Sequence, residues 1–349
     1  MDTSDHVDSP TTFLMPNLEE TVAIFPDNGM NPHHNEIYPQ SRAWITSFNK
    51  MVYGPKMQAF MNNCNFELIN TLCYPYAGRD GLRATMDLHN LLWLYDEYTD
   101  TKSGRGANEA AAVVQQSLRN SEFDDGSWLC TMMKDFKAQH IDRAGSDNAS
   151  RFIDHFCTYV TLVGREAELR ESSEVLDIRG YVSMRRETSG VRACFDLVEY
   201  CLNVSLTQDT YNDPVFISGY EAAMDLICWA NDLYSYNMEQ AKEHGGANIV
   251  TVIMKTKNLN LQAAVDFLGG YFESLVSQWY TARMILSNRP GKQYRDTVHV
   301  LDAYGDWVRG NVIWSFTTER YFGINNNIIR KTRCVTLNKP FCGAIDLAE

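Results

Sequence analysis

The stretch from Ala230 to Gln240 constrains this chain most, because it joins a helical pattern to a regular row of oxygen side chains. Asn231, Ser235 and Glu239 recur every four residues, so on a helix they share one face. An amide, a hydroxyl and a carboxylate form an all-oxygen ligand set, which suits Mg²⁺ better than zinc or copper. The row therefore indicates a hard-cation site, and the alternative is a polar stripe on a solvated helix face.

The helix that carries this row has clear ends in the sequence. Asp213 is a typical N-cap, and Pro214 is favoured at the first helical position. The glycine pair at 245 and 246 ends the pattern. We therefore predict one long helix over residues 214–243.

The rest of the chain also has the apolar periodicity of helices, and it lacks alternating strands, a glycine-rich phosphate-binding loop, internal repeats and a linker. We predict an all-α domain over residues 21–323, a disordered N-terminus over 1–20 and an irregular C-terminal tail over 324–349. The predicted helical segments are 41–53, 56–71, 79–100, 107–119, 122–140, 149–169, 174–187, 190–205, 214–243, 247–257, 260–286, 293–310 and 311–322.

Composition narrows the class of protein and its location. The chain has 31 basic and 44 acidic residues, a net charge of −13, which disfavours binding to nucleic acid or to an anionic membrane surface. Nine scattered cysteines without a C-x-x-C pair are typical of a reduced intracellular protein. The N-terminus has no signal-peptide pattern, and no apolar run is long enough to span a bilayer. We expect a cytoplasmic protein.

A second acidic cluster, D-E-Y-T-D, follows an apolar helical run. Asp96 and Asp100 lie four residues apart and therefore share a helix face. Their mutual repulsion destabilises the helix slightly, and the helix dipole separately disfavours anions at the C-terminal end. A divalent cation would relieve both effects, whereas the alternative is an ordinary exposed helix end.

Together, D-E-Y-T-D at 96–100 and N-D-L-Y-S-Y-N-M-E at 231–239 resemble the two metal-binding motifs of class I terpene synthases. The similarity extends from about Trp44 to Tyr321, and the flanking sequences resemble basidiomycete sesquiterpene cyclases, especially Δ6-protoilludene synthases. It implies the single-domain class I fold, a helical bundle around a central apolar cavity. It also implies three Mg²⁺ ions, replaceable by Mn²⁺, with the ligands Asp96, Asp100, Asn231, Ser235 and Glu239.

The resemblance also implies residues that bind diphosphate. Arg185 lies at the expected distance before the second motif to be the diphosphate sensor, with Arg186 as the alternative register. Thr188 and Ser189 match the linker and effector positions, and the last helix is expected to end on the pair Arg320-Tyr321.

One position departs from the family pattern, and two aromatic residues match it. Many fungal relatives have a lysine before the motif glutamate, where this chain has Met238, although Lys242 follows on the same helix. Trp93 and Trp314 match positions at which relatives carry cavity aromatics, and the π face of such a ring would stabilise a carbocation. Plain core packing is the alternative for each tryptophan.

The reaction implied by the resemblance is ionisation of farnesyl diphosphate and cyclisation of the carbocation to a C15 product, with release of diphosphate. The similarity to basidiomycete cyclases suggests 1,11-closure of the Δ6-protoilludene or viridiflorol type. A monoterpene or diterpene cyclase shares these motifs, and a non-catalytic helical binding protein is the alternative from another class. A chain-elongating synthase would need a second aspartate-rich motif, which N-D-L-Y-S-Y-N-M-E is not. We expect a monomer or a homodimer.

Overall fold

The computed structural model describes residues 11–52, 54–172, 174–242 and 245–339, and these fold almost entirely into helices. This confirms the all-α prediction. In chain order the helices are α1 (Leu18–Thr21), α2 (His34–Val52), α3 (Pro55–Cys64), α4 (Phe66–Cys73), α5 (Arg79–Asp100), α6 (Gly104–Arg119), α7 (Trp128–Gln139), α8 (Ser146–Glu171), α9 (Ile178–Thr188), α10 (Val191–Leu202), α11 (Gln208–Asn212), α12 (Pro214–Ala241), α13 (Ile249–Lys257), α14 (Leu261–Ser287), α15 (Lys292–Thr317) and α16 (Asn326–Thr332).

Helix α12 is the central element of the bundle. Its N-terminus forms as predicted, because the Asp213 side chain accepts a hydrogen bond from the backbone N–H of Val215 at 2.9 Å and Pro214 follows the cap. Most of α12 is buried, since it packs against α14, α15, α13 and α9. It ends at Ala241, two residues before the predicted end. The bundle thus buries the helix that carries the predicted ligand row.

In two places the division into helices differs from the prediction, and other helix ends shift by up to seven residues, as at α2, which begins at His34 rather than at residue 41. The predicted helix 56–71 is divided into α3 and α4 because Asn65 adopts a left-handed conformation with φ +48°. This is a conformation that asparagine tolerates better than most residues do. In contrast, the predicted helices 293–310 and 311–322 are one continuous helix, α15, which ends at Thr317.

The ends of the chain contain a short sheet that the sequence did not predict. Strands β1 (Thr12–Leu14) and β2 (Cys334–Thr336) pair antiparallel, with Phe13 opposite Val335 and both side chains buried. The described parts of the predicted segments 1–20 and 324–349 therefore include β1, α1, α16 and β2, whereas residues 1–10 and 340–349 lie outside the described chain. None of the described helices is both long and apolar enough to cross a membrane.

Gly310 allows α15 to cross α4 at close range. A Cβ atom there would lie 2.9 Å from the carbonyl carbon and oxygen of Leu72 and 2.8 Å from the Sγ of Cys73. Because a backbone group cannot move aside as a side-chain end can, we expect Gly310→Ala to lower the free energy of unfolding by about 1–3 kcal/mol. Urea denaturation would measure this change.

Gly270 provides a matched control for that substitution. It lies inside α14, and a Cβ atom there would meet nothing within 4 Å. Gly270→Ala should therefore stabilise the protein by about 0.5–1 kcal/mol, because alanine loses less conformational entropy in a helix. Equal effects of the two substitutions would contradict the tight helix crossing at Gly310.

Candidate active site

Seven helices, α4, α5, α8, α9, α10, α12 and α15, contribute side chains to the wall of a cavity of about 180 Å³. All the site residues predicted from the sequence line it. They are Trp93, Asp96, Asp100, Arg185, Thr188, Ser189, Asn231, Ser235, Glu239, Trp314, Arg320 and Tyr321. The structure therefore brings the two acidic motifs, the arginines and the aromatic residues to one place, although they are up to 228 residues apart in the chain.

Helix α5 brings a carboxylate cluster to one end of the cavity. Burial raises the pKa of Asp96 well above its ordinary value, and the neighbouring charges of Asp100 and Glu97 raise it further. Asp100 is paired with Arg170 of α8, whose Nη1 lies 3.0 Å from the Asp100 Oδ1. The cluster lacks sufficient counter-charge from the protein, which is the setting in which a bound cation is favourable.

Helix α12 presents the predicted oxygen row to the same cavity. The Asn231 Oδ1 accepts a hydrogen bond from Arg185 at 2.7 Å, and its Nδ2 donates to the Tyr321 hydroxyl at 2.7 Å. Burial, with a smaller contribution from the nearby Asp232, raises the pKa of Glu239 to about 7. The Glu239 Oε2 accepts a hydrogen bond from Asn248 at 2.9 Å.

Asp232, the second residue of the motif, holds Arg185 in place. Its fully buried carboxylate accepts hydrogen bonds from the Arg185 Nε at 2.9 Å, the Tyr181 hydroxyl at 2.7 Å and the backbone N–H of Ile249 at 3.0 Å. These donors come from α9 and α13. A buried carboxylate with three donors is well compensated, so Asp232 anchors both helices to α12.

The neighbouring arginine faces another way. Arg186 makes two hydrogen bonds of 2.7 Å to the buried carboxylate of Asp225 and an ion pair of 2.8 Å with Glu221. It is absent from the cavity lining, whereas Arg185 is part of it. The geometry therefore favours the Arg185 register over the Arg186 alternative.

A break between two helices begins three residues after Arg185 in the chain. Helix α9 ends at Thr188, and α10 begins only after Gly190, which has φ +72°. A Cβ atom at Gly190 would lie 3.1 Å from a methyl carbon of Leu92, so the position requires glycine both for its conformation and for its space. Ser189 therefore lies at an interrupted helix end that faces the cavity.

The pair Arg320-Tyr321 follows the end of α15 rather than forming its last turn, because the helix stops at Thr317. The Arg320 guanidinium carbon lies 3.7 Å from the ring centroid of Trp93, over the ring, and its Nη1 lies 3.5 Å from Glu97. Trp93 thus supports Arg320 in this structure. Trp314 is buried, and its indole N–H donates to the backbone oxygen of Asn65 at 3.2 Å.

The sequence interpretation missed several cavity residues. They are His89, Glu97, Glu166, Arg170, Trp307 and Asn311. Met238 and Lys242, which the sequence analysis discussed, also line the cavity. Arg170 and Glu166 are four residues apart on α8, but their pattern resembles any polar helix face. Asp232 belonged to the recognised motif, and its position there was the one available signal of importance.

The ion-lined end and the aromatic interior, enclosed by an all-α bundle, define the class I terpene synthase type of protein. Residues 87–278, more than half of the chain, match the family model described as terpene synthase family 2, C-terminal metal binding. The chain belongs to the terpene synthase family, and it is a terpene cyclase. This confirms the family prediction, and the description of the family model implies a divalent metal.

Individual relatives agree with this assignment. Sesquiterpene synthase Agr5 of Cyclocybe aegerita is 61% identical over 100% of this chain and 81% of its own length. Viridiflorene synthase Agr2 of the same fungus is 51% identical, over 94% of this chain and 87% of its own. The crystal structure of germacradien-4-ol synthase from Streptomyces citricolor superimposes with a TM-score of 0.72 at 18% identity, covering 82% of this chain and 94% of that one. The last likeness supports the fold alone.

The role of Asp232 as an anchor generates a stability prediction. Asp232→Ala leaves Arg185 without its buried partner, and breaking such a pair typically costs about 3–5 kcal/mol. We expect a loss of this size in the free energy of unfolding, measured by urea denaturation. Glu109, which forms an exposed pair with Arg105 at 3.6 Å, is the control. Glu109→Ala should change stability by less than about 1 kcal/mol, and similar losses in the two variants would contradict the anchor.

Proposed function

We propose that this chain ionises farnesyl diphosphate with the help of Mg²⁺ and cyclises the resulting carbocation to a C15 product, releasing diphosphate. One observation carries the proposal: a single cavity has carboxylates, an amide and arginines at one end and tryptophans further in. Such a cavity suits a substrate with an anionic head and a hydrocarbon tail. The relatives named sesquiterpene synthase support the C15 chain length.

The side chains at the ionic end fit the proposed metal by their chemistry. Asp96 and Asp100 would hold metal from α5, and the α12 row Asn231, Ser235 and Glu239 would hold it from the opposite side. All five offer oxygen, the ligand type that Mg²⁺ prefers, and Mn²⁺ accepts the same set. The family resemblance implies three ions. Bound there, divalent cations would act as Lewis acids on the diphosphate leaving group.

The protein's own donors complete the binding of the diphosphate. Arg185 and Arg320 offer planar guanidinium groups, which can make paired hydrogen bonds to phosphate oxygens, and Tyr321 adds a hydroxyl. Arg185 must exchange its hydrogen bond to Asn231 for one to phosphate, which frees the Asn231 oxygen. Thr188 and Ser189 would transmit this movement as linker and effector, because they lie between Arg185 and the helix break at Gly190.

The inner part of the cavity must protect the carbocation from water. Trp314 lies six residues before Arg320 in the chain, is buried and lines the cavity. We propose that its π face stabilises a cationic intermediate, an effect worth roughly 0.5–2 kcal/mol. Trp93 has the same proposed role, but Arg320 already lies over its ring, so its larger contribution is to hold that arginine.

The ring system of the product and the oligomeric state of the protein are also part of this proposal. The motifs do not specify a ring system. We propose 1,11-closure of the Δ6-protoilludene or viridiflorol type, and a relative named delta(6)-protoilludene synthase supports this choice. A cytoplasmic monomer or homodimer is the expected form.

The direct test of this function is an assay of inorganic diphosphate release, with gas chromatography and mass detection of the products. Farnesyl diphosphate with Mg²⁺ should give cyclic C15 products, and excess EDTA should abolish the release. Geranyl and geranylgeranyl diphosphate serve as the arms for the monoterpene and diterpene alternatives. Activity that survives EDTA, or a clear preference for geranylgeranyl diphosphate, would contradict the proposal, and no release from any substrate would favour a non-catalytic binding protein.

The metal ligands generate the next prediction. Glu239→Gln keeps the shape of the side chain but removes its charge, so we expect loss of most of the activity with the fold intact by circular dichroism. Asp96→Asn should be at least as damaging. Asp100→Asn should be milder, because Asp100 is already paired with Arg170 in this structure. Activity near wild type for Glu239→Gln at saturating Mg²⁺, or a reversed order of the two aspartates, would refute the assignment.

The two neighbouring arginines provide a matched pair of variants. Arg185→Ala and Arg320→Ala should each slow diphosphate release by about one to two decades, since a charged hydrogen bond is worth roughly 1.5–3 kcal/mol. Arg185→Ala and Arg186→Ala should both lower thermal stability, because each leaves a buried aspartate, Asp232 or Asp225, without its arginine. In Arg186→Ala, however, diphosphate release from the folded enzyme should change little. A crippled Arg186→Ala beside an active Arg185→Ala would reverse the register.

A further inference from the structure

His89 is a buried polar residue for which neither the metal site nor the diphosphate site has a use. It lies on α5, seven residues before Asp96, which is about 10 Å along the helix and therefore away from the ionic end. Only 7% of its surface is exposed, and its ring lines the cavity. The ring stacks on Trp307, with centroids 5.7 Å apart and planes at 18°, and Trp93 is 6.2 Å away.

The nitrogen atoms of His89 are not explained by packing. Its buried Nδ1 has no hydrogen-bond partner among the described residues. An aromatic hydrocarbon ring would stack on Trp307 equally well without leaving a buried polar atom unpaired, which is unfavourable. Asn311, four residues after Trp307 on α15, also lines the cavity and has an unpaired buried Nδ2. The inner end thus contains polar atoms that the described residues leave without a hydrogen-bond partner.

The charge state of the ring makes it a proton acceptor. Burial, helped by the positive charge of Arg320, lowers the pKa of His89 to about 3. At neutral pH the imidazole is therefore uncharged, and one of its two nitrogens has a free lone pair. A C–H bond next to a carbocation is so acidic that even this weak base accepts its proton.

Other groups around the cavity are less suited to this role. Burial raises the pKa of the Cys194 thiol and raises that of Cys228 to about 12, so both remain protonated. The Tyr159 hydroxyl likewise has a pKa well above its ordinary value, chiefly through burial. The carboxylates lie at the ionic end with the proposed metals. Among the described cavity residues, this leaves His89 as a neutral base in the inner part.

We propose that His89 accepts the proton that ends the carbocation sequence, about two helical turns along α5 from the proposed metal ligand Asp96. A C–H bond adjacent to the cationic carbon breaks, its electron pair forms the C=C bond of the product, and the proton binds a ring nitrogen. The imidazolium passes this proton to water when the cavity opens for product release, which restores the neutral ring. This role rests on the proposed sesquiterpene synthase function, and it assigns an alkene as the main product.

Two substitutions test whether the basic nitrogen of His89 is needed, rather than the shape or the polarity of its side chain. His89→Phe keeps an aromatic ring against Trp307 but has no nitrogen, whereas His89→Asn keeps a polar group near the Nδ1 position but is not basic. Ile227→Val removes one methyl group from the cavity wall and reports how sensitive the products are to shape alone. Each variant and the wild type are incubated with farnesyl diphosphate and Mg²⁺ in H₂¹⁸O, with diphosphate release, product ratios and thermal melting measured together.

We expect diphosphate release by both His89 variants to stay within about threefold of wild type, because His89 is neither a proposed metal ligand nor a proposed diphosphate donor. The share of the main wild-type alkene should fall at least tenfold in both, in favour of products from other deprotonation sites or from water capture. The Ile227→Val product ratios should change much less. Melting temperatures close to wild type would show that the variants are folded.

Three results would overturn the role of His89 as a base. A product profile retained in His89→Phe, or changed as strongly in Ile227→Val, would assign the effect to cavity shape. A profile retained in His89→Asn, or ¹⁸O in the main wild-type product, would make the ring a holder of water. If the wild type itself released no diphosphate, the proposed function would fail instead, so the two failures are distinguishable.

Discussion

The buried carboxylate of Asp232 is the interaction on which the arrangement of the site depends. It joins three partners from other parts of the chain, the Arg185 guanidinium, the Tyr181 hydroxyl and the backbone N–H of Ile249. Because the charge is removed from water, it is tolerated only while these donors are present. The same contact fixes α9 and α13 against α12 and directs Arg185 towards Asn231. Asp232 therefore holds these helices together, whereas the predicted ligands of the same motif, Asn231, Ser235 and Glu239, line the cavity.

The cavity has two electrostatically different ends. At the ionic end, burial and the negative charges of neighbouring carboxylates raise the pKa values of Asp96 and Glu239. The protein alone therefore does not fully compensate these two carboxylates. Divalent cations would compensate them, and the arginines would meet the additional charge of a diphosphate. In a chain of net charge −13, binding such an anion requires these local cations. At the inner end, aromatic rings surround the few polar atoms, and a hydrocarbon cation would meet π faces and a neutral imidazole.

Sequence patterns predicted the features that are local. Helix α5 begins and ends where periodicity placed it, at Arg79 and Asp100, and the spacing of four residues put the predicted ligands on cavity-facing surfaces. Features that depend on distant partners were not predictable in this way. The pairing of β1 with β2 joins opposite ends of the chain, and the left-handed Asn65 divides a continuous apolar pattern. His89 and Asp232 gain their significance from rings and donors elsewhere in the sequence, which a local pattern does not reveal.

In the proposed function, α5 and α12 share one metal site with a diphosphate between them. A crystal structure of the protein with Mn²⁺ and inorganic diphosphate, with metals located by their anomalous scattering, tests it directly. We expect metal peaks beside Asp96 and beside the row Asn231, Ser235 and Glu239, with diphosphate density between the two sides. Metal peaks only at the cluster formed by the exposed Asp124 and Asp125 and the buried Cys130, together with a cavity free of metal, would contradict it.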